Sequence, residues 1–166
     1  AILYPVAPME AGMDGRQAAD TAFDLANKLY GKSVDFDFMD FESLARAQVV
    51  GKELQVSGES YRVLILPAMK AVRWSTMQKA AEFARAGGIV IVLGALPEAS
   101  DHAGRNDAEL DALVEQTFGR RANSPTPALG ERAALTGQPS AHIAEDANQA
   151  ASLITSSFPR DYDGPG

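Results

Sequence analysis

Two apolar runs, Val63 to Leu66 and Ile89 to Leu93, are strand-length and hydrophobic at every position. That pattern fits strands buried on both faces, as in the middle of a parallel sheet. Between them, Trp74, Met77, Ala81 and Ala84 share one helical face, with Ala80 and Phe83 beside it. Pro67 stops the first strand, Ser75 and Gln78 have capping-box spacing, and Gly87-Gly88 ends the helix. Tyr61 to Gly94 therefore predicts strand, helix, strand.

The rest of the chain repeats this alternation. Ala1 to Val6 predicts a buried strand, followed by a loop from Ala7 to Gly15. Asp14 and Gln17 have capping-box spacing before a helix whose buried face is Ala19, Ala22, Phe23, Ala26, Leu29 and Tyr30. Gly31 suits a left-handed helix exit. Val34, Phe36 and Phe38 alternate with Asp35 and Asp37, which predicts a half-buried edge strand up to Met39. A short helical turn, Phe41 to Ala47, precedes two arms, Glu53 to Val56 and Glu59 to Val63, joined through Ser57-Gly58 as a tight hairpin. Asn106 with Glu109 predicts the start of a helix carrying Leu110, Leu113, Val114 and Phe118, closed by Gly119. Arg120 to Ser140, rich in Pro and Gly, predicts irregular chain with a short strand at Ala133 to Leu135. The last helix, Glu145 to Ser156, turns Ala147, Ala150, Ala151 and Ile154 inward.

Strands alternating with helices imply right-handed crossovers and a sheet covered on both faces. The predicted fold is α/β, a three-layer α/β/α sandwich with a mostly parallel sheet, flavodoxin-like or Rossmann-like. Residues 1–157 form one domain in this reading, and residues 158–166 form a linker or the start of a further domain. The chain opens directly on a strand with neither signal peptide nor initiator Met, which suggests a processed chain or an excised domain.

Composition narrows the partners. The net charge of −7 disfavours nucleic acid and anionic membrane surfaces, which need clustered Lys and Arg. No apolar run approaches the roughly 20 residues that span a bilayer. The absence of Cys removes disulfides, thiolate metal sites and Cys nucleophiles together.

In open α/β sheets a ligand crevice lies beyond the carboxyl ends of the strands. Four segments would line it: Ala7 to Gly15, the turn near Asp40, Ala68 to Trp74, and Gly94 to Arg105. Neither a G-x-G-x-x-G nor a Walker lysine motif occurs. Leu93-Gly94-Ala95 stands where a nucleophile elbow would carry Ser or Cys, and Ser100 lacks the flanking glycines. His102 and His142 are far apart in sequence, and Asp161 with Asp163 makes only half of a calcium loop, so no metal or other cofactor is expected. Glu10, Asp40, Glu98 and Asp101 are carboxylates able to project from the carboxyl edge, but a glycosidase needs two facing one sugar at a set separation. Trp74, at the crevice mouth, suits a stacked sugar, a partner domain or a hydrophobic staple. The contact candidates are Asp40, Trp74, Glu98, Asp101, His102 and Arg105, and none is assigned to catalysis.

The segments DFDFMDFESLARA, KELQVSGESYRVLILPAMKAVRWSTMQKAAEFARAGGIVIVLGALPEAS and DAELDALVEQTFG resemble an internal domain of large glycoside hydrolases, chiefly the family 106 α-L-rhamnosidases. The likeness covers Ala1 to Gly119. It implies a class I glutamine amidotransferase-like domain, set between a catalytic barrel and β-sandwich domains of the same polypeptide. The trimerisation domain of some β-galactosidases is similar in plan, which adds a possible homo-oligomer. The resemblance implies a parent that is secreted, periplasmic or at the cell surface. It places no catalytic residue here, because the elbow Cys has no counterpart around Leu93-Gly94. The expected role is a non-catalytic structural domain, with a stand-alone flavodoxin-like small-molecule-binding module as the alternative.

Overall fold

A computed structural model of the chain describes residues 1–124 and 137–158. At its centre lies a five-stranded parallel sheet in the order β11-β8-β6-β1-β2. Its strands are β1 (Ile2–Leu3), β2 (Phe38–Met39), β6 (Val63–Pro67), β8 (Ile89–Leu93) and β11 (Ala141–Ala144). β6 and β8 run in register from Val63 opposite Ile89 to Pro67 opposite Leu93. Side chains alternate between two cores, as strand geometry requires. Leu3, Leu64, Leu66, Val90 and Val92 face α3 (Phe41–Arg46), α4 (Trp74–Arg85) and α5 (Ala108–Phe118). Ile2, Ile65, Ile91 and Leu93 face α2 (Gly15–Gly31) and α6 (Ala147–Ser157). The expected three-layer sandwich is the observed one.

The central unit follows its sequence pattern closely. Met77, Ala80, Ala81, Phe83 and Ala84 of α4 are buried against the sheet, and Trp74 packs at the edge of the same core. A side chain on Gly88 would collide with the Phe83 ring, so the turn into β8 needs glycine for close approach. The hairpin of β4 (Glu53–Val56) and β5 (Glu59–Tyr61) also forms, with β3 (Gln48–Val50) as a third strand. Its turn holds Ser57 and Gly58 at φ of 53° and 87°, the left-handed pair that a two-residue hairpin favours.

Elsewhere the structure corrects the expectations. The first strand is only Ile2–Leu3, because the chain turns at Pro5 into the short helix α1 (Val6–Glu10). The buried face of α2 is Ala18, Ala22, Leu25, Ala26 and Leu29, while Phe23 is 49% exposed and Tyr30 81%. Gly31 stays inside α2, and the residue at positive φ is Ser33. The edge strand spans Phe38–Met39 alone. Phe38 turns outward there to meet the rings of Tyr4, Phe23 and Phe36 at 6.1, 5.5 and 6.0 Å. None of the three capping boxes forms as read. Asp14 and Arg73 precede α2 and α4 without a side-chain cap, and the cap of α5 is Asp107, one residue beyond Asn106.

The strand β11, pairing in parallel with β8 from Ala141 opposite Val90 to Ala144 opposite Leu93, was not expected from sequence. The inward residues of α6 are the four expected ones, and Asp146 caps it by accepting from the Gln149 N–H at 2.8 Å. The predicted strand at Ala133 to Leu135, the Asp161–Asp163 pair and the tail beyond Phe158 lie outside the described residues. Among the described residues, no helix is long and apolar enough to cross a membrane.

Candidate functional site

The four segments named from sequence meet at the carboxyl edge of the sheet, and Arg73 is where they join. It stands directly before α4, and its guanidinium lies 3.8 Å from the centre of the Phe41 ring. Its Nη2 is 3.3 Å from Glu10 Oε2, and its Nη1 is 3.9 Å from Asp101 Oδ2. Three residues earlier, the Lys70 ammonium pairs with the Asp14 carboxylate. One cationic segment thus fastens α1 and the loop before α2, the start of α3, and the loop beyond β8. These contacts are half-exposed, so each ion pair contributes about 1 kcal/mol or less.

The six sequence candidates do not converge on one point. Asp40 is the N-cap of α3: its carboxylate accepts from the Ser43 N–H at 2.7 Å and the Ser43 hydroxyl at 2.9 Å. The Ser43 N–H, and then its hydroxyl, hold the Asp40 carboxyl below its usual value. Asp101 accepts from the Trp74 N–H at 2.7 Å, which supplies α4 with the cap that Ser75 does not provide. The His102 ring stacks on Trp74 with centroids 5.4 Å apart, and its Nδ1 is 3.7 Å from Glu109 Oε2. Glu98 is half-buried, and its N–H donates to the Lys70 carbonyl at 2.8 Å. Arg105 is exposed on β10 (Gly104–Arg105). Asp101, Trp74 and His102 form one group, Glu98 and Arg105 border Lys70, and Asp40 stands apart at α3.

The segment Gly94 to Arg105 is itself ordered. β9 (Ala99–Ser100) pairs with β10 and with β7 (Ala71–Val72), forming a second three-stranded sheet. Beneath it Ser100 and Asp107 are buried, and the Ser100 hydroxyl donates to Asp107 Oδ2 at 2.6 Å. Asp107 Oδ1 accepts from the N–H groups of Glu109 and Leu110, both at 3.1 Å, as the cap of α5. The Ser100 hydroxyl, followed by the Leu110 N–H, lowers the Asp107 carboxyl below its ordinary range. Ser100 thus donates to a carboxylate already engaged in capping α5, and its Oγ accepts the His102 N–H at 3.2 Å.

Arg73, Lys70, Glu10 and Asp14 are the residues that hold the rim together. Their loops are legible in the sequence, and of the four side chains only Glu10 stands out there as a candidate carboxylate. The available signal was the pair of cations, Lys70 and Arg73, in a loop facing an acidic one. No helix follows β8 directly, and Gly94 offers no side chain, so the strand–turn–helix of a nucleophile elbow is not built there. Among the described residues, no group of three His, Cys, Asp or Glu side chains is placed to hold a metal ion.

A family model described as alpha-L-rhamnosidase, glycoside hydrolase family 106, matches residues 17–160. A solved structure, the rhamnosidase from Novosphingobium sp. PP1Y, is similar at a TM-score of 0.45 and 18% sequence identity, over 71% of this chain and 11% of that one. The chain spans about a tenth of that protein's length. No curated protein matches the chain.

Proposed function

The chain belongs to the α-L-rhamnosidase family, glycoside hydrolase 106, and on that premise we propose that it is a non-catalytic structural domain of a larger hydrolase of rhamnosyl bonds. The observation that carries this reading is the occupation of the carboxyl edge. Asp40 and Asp101 complete helix starts, and Glu10 and Asp14 pair with Arg73 and Lys70. A general acid and its partner need freedom to face a sugar, whereas these carboxylates are engaged by their neighbours. The sandwich is read as related to class I glutamine amidotransferases, with Gly94 where their nucleophile would stand. Its role is to brace the catalytic barrel of the same polypeptide, using the Gly94 to Arg105 segment and one sheet edge. The test is hydrolysis of an aryl α-L-rhamnoside by the chain alone. No turnover is expected, and turnover overturns the non-catalytic reading.

The rings at the β2 edge favour a second reading, an oligomerisation module. Tyr4, Phe23 and Phe38 are between 39% and 49% exposed, and the Phe38 ring meets the other two, an aromatic cluster of the kind enriched at protein interfaces. Light scattering separates the two. A monomer across the micromolar range fits the brace, and a dimer or trimer that Phe23→Ser dissociates fits the module.

A further inference from the structure

Asp14 and Gly15 join the loop after α1 to the start of α2. Asp14 is left-handed, with φ of 55° and ψ of 36°, and its carboxylate does not cap the helix it precedes. That carboxylate pairs instead with the Lys70 ammonium, and the Asp14 side chain is 56% exposed to water. A Cβ added to Gly15 would stand 2.5 Å from Met9 Cα, so α2 begins in close contact with α1 and only glycine fits there.

An aspartyl-glycyl junction has a reaction of its own. The glycine nitrogen attacks the aspartyl Cγ, because no side chain on the glycine obstructs the approach. As the first residue of α2, Gly15 carries an N–H that the helix itself does not use. Ring closure requires Asp14 Cβ and the Gly15 nitrogen to lie on the same side of the Asp14 Cα–C bond. At ψ of 36° they lie nearly opposite, so the junction stays unreactive until that bond turns. Two contacts oppose the turn. Lys70 ties the carboxylate to the connection between β6 and β7, and Met9 hems in Gly15.

We propose that Asp14–Gly15 is a modification site, a junction that forms isoaspartate and that Lys70 guards. The Gly15 nitrogen bonds to Asp14 Cγ, and the carboxyl hydroxyl leaves with the amide hydrogen as water, closing a succinimide ring. Water then adds to the main-chain carbonyl carbon of Asp14 and breaks its bond to the Gly15 nitrogen. The chain now runs through Cβ and Cγ, Asp14 carries a free α-carboxylate, and no atom is gained or lost overall. A main chain lengthened by Cβ does not fit the close contact between Gly15 and Met9. The product therefore loosens α1 from α2 and ends the pairing with Lys70.

The test incubates the chain and its Lys70→Ala and Lys70→Arg variants at neutral pH, beside a synthetic peptide of residues 10–17. Isoaspartate is read by peptide mapping. Trypsin releases Asp14 in the peptide ending at Arg16, apart from the other Asp-Gly junction, Asp163–Gly164, which follows Arg160. At Asp14 the synthetic peptide should convert fastest and the wild-type chain slowest. Lys70→Ala should convert up to about fivefold faster than wild type, the worth of a partly exposed ion pair, with circular dichroism unchanged. Lys70→Arg keeps the cation and should return to the wild-type rate, and Asp163–Gly164 should convert equally in all three chains. Equal rates at Asp14 in wild type and Lys70→Ala overturn the guarding role, as does acceleration of both junctions alike or a Lys70→Arg variant as fast as Lys70→Ala. An Asp14 that stays unconverted in Lys70→Ala while the synthetic peptide converts overturns the site itself.

Discussion

The β6–α4–β8 unit and the rim around Arg73 are adjacent but are held together by different physics. In the unit, Leu64, Leu66, Met77, Phe83, Val90 and Val92 are fully buried or nearly so, and stability comes from apolar area removed from water. At the rim, half-exposed charges meet across four segments, and water and salt screen each pair. The unit therefore sets whether the chain folds. The rim sets how its loops are arranged, and so the shape of the surface at the carboxyl edge of the sheet. Acidic groups at the mouth of an α/β crevice invite a catalytic reading, yet here most of them fasten loops to one another.

The largest expected effect lies in the unit. Phe83→Ala removes a fully buried ring beneath Gly88 and should cost about 3–5 kcal/mol in chemical denaturation. A cost below about 1 kcal/mol would mean that the α4 core is not the one described.

Asp107 sits between the two regimes, since it is buried yet serves the rim's second sheet. Asp107→Ala should lower the thermal midpoint by about 2–6 °C, the ordinary effect of losing a helix cap. Folding lowers its carboxyl below the ordinary value of 3.8, chiefly through the Ser100 hydroxyl. Its contribution is therefore complete above that value and is lost as pH falls through the lower folded value. Asp107→Asn should flatten stability against pH in that acid window and leave the slope near neutrality unchanged.

Arg73→Ala should cost only about 1 kcal/mol, from weak ion pairs and the contact with Phe41. Its clearer signature is faster amide exchange in the segments bearing Glu10 and Asp101, with β6 and β8 unchanged. Uniform acceleration across the sheet would erase the distinction between unit and rim. The smallest effect belongs to His142 on β11, which partial burial pushes below its ordinary 6.5. Its imidazole should titrate below that value by NMR, and a titration at or above it would place the ring in open solvent.

Legibility in the sequence divides along the same line. Apolar runs and Gly87-Gly88 specify the unit because their periodicity is local, and the hairpin around Ser57-Gly58 is legible for the same reason. β11 escaped because Ala141, His142 and Ile143 are only half-buried, and four mixed residues carry no clear period. The α2 stripe was misplaced because its alanines fit either of two adjacent faces. The large rings of Phe23 and Tyr30 drew the reading toward the outward side. At the rim, Asp14 has the sequence of a cap but bonds Lys70, which lies 56 positions away, and Asp101 caps a helix 27 positions before it. Such partners depend on the fold, so spacing alone located the candidate loops without showing what their side chains hold.

The most direct test of the central claim is the rate of aryl α-L-rhamnoside hydrolysis by the purified chain, beside its Asp101→Asn and Glu10→Gln variants. The account predicts that all three match the uncatalysed rate while both variants remain folded. Hydrolysis by the wild-type chain that either variant abolishes would contradict it, because the rim carboxylates would then be catalytic groups rather than fastenings.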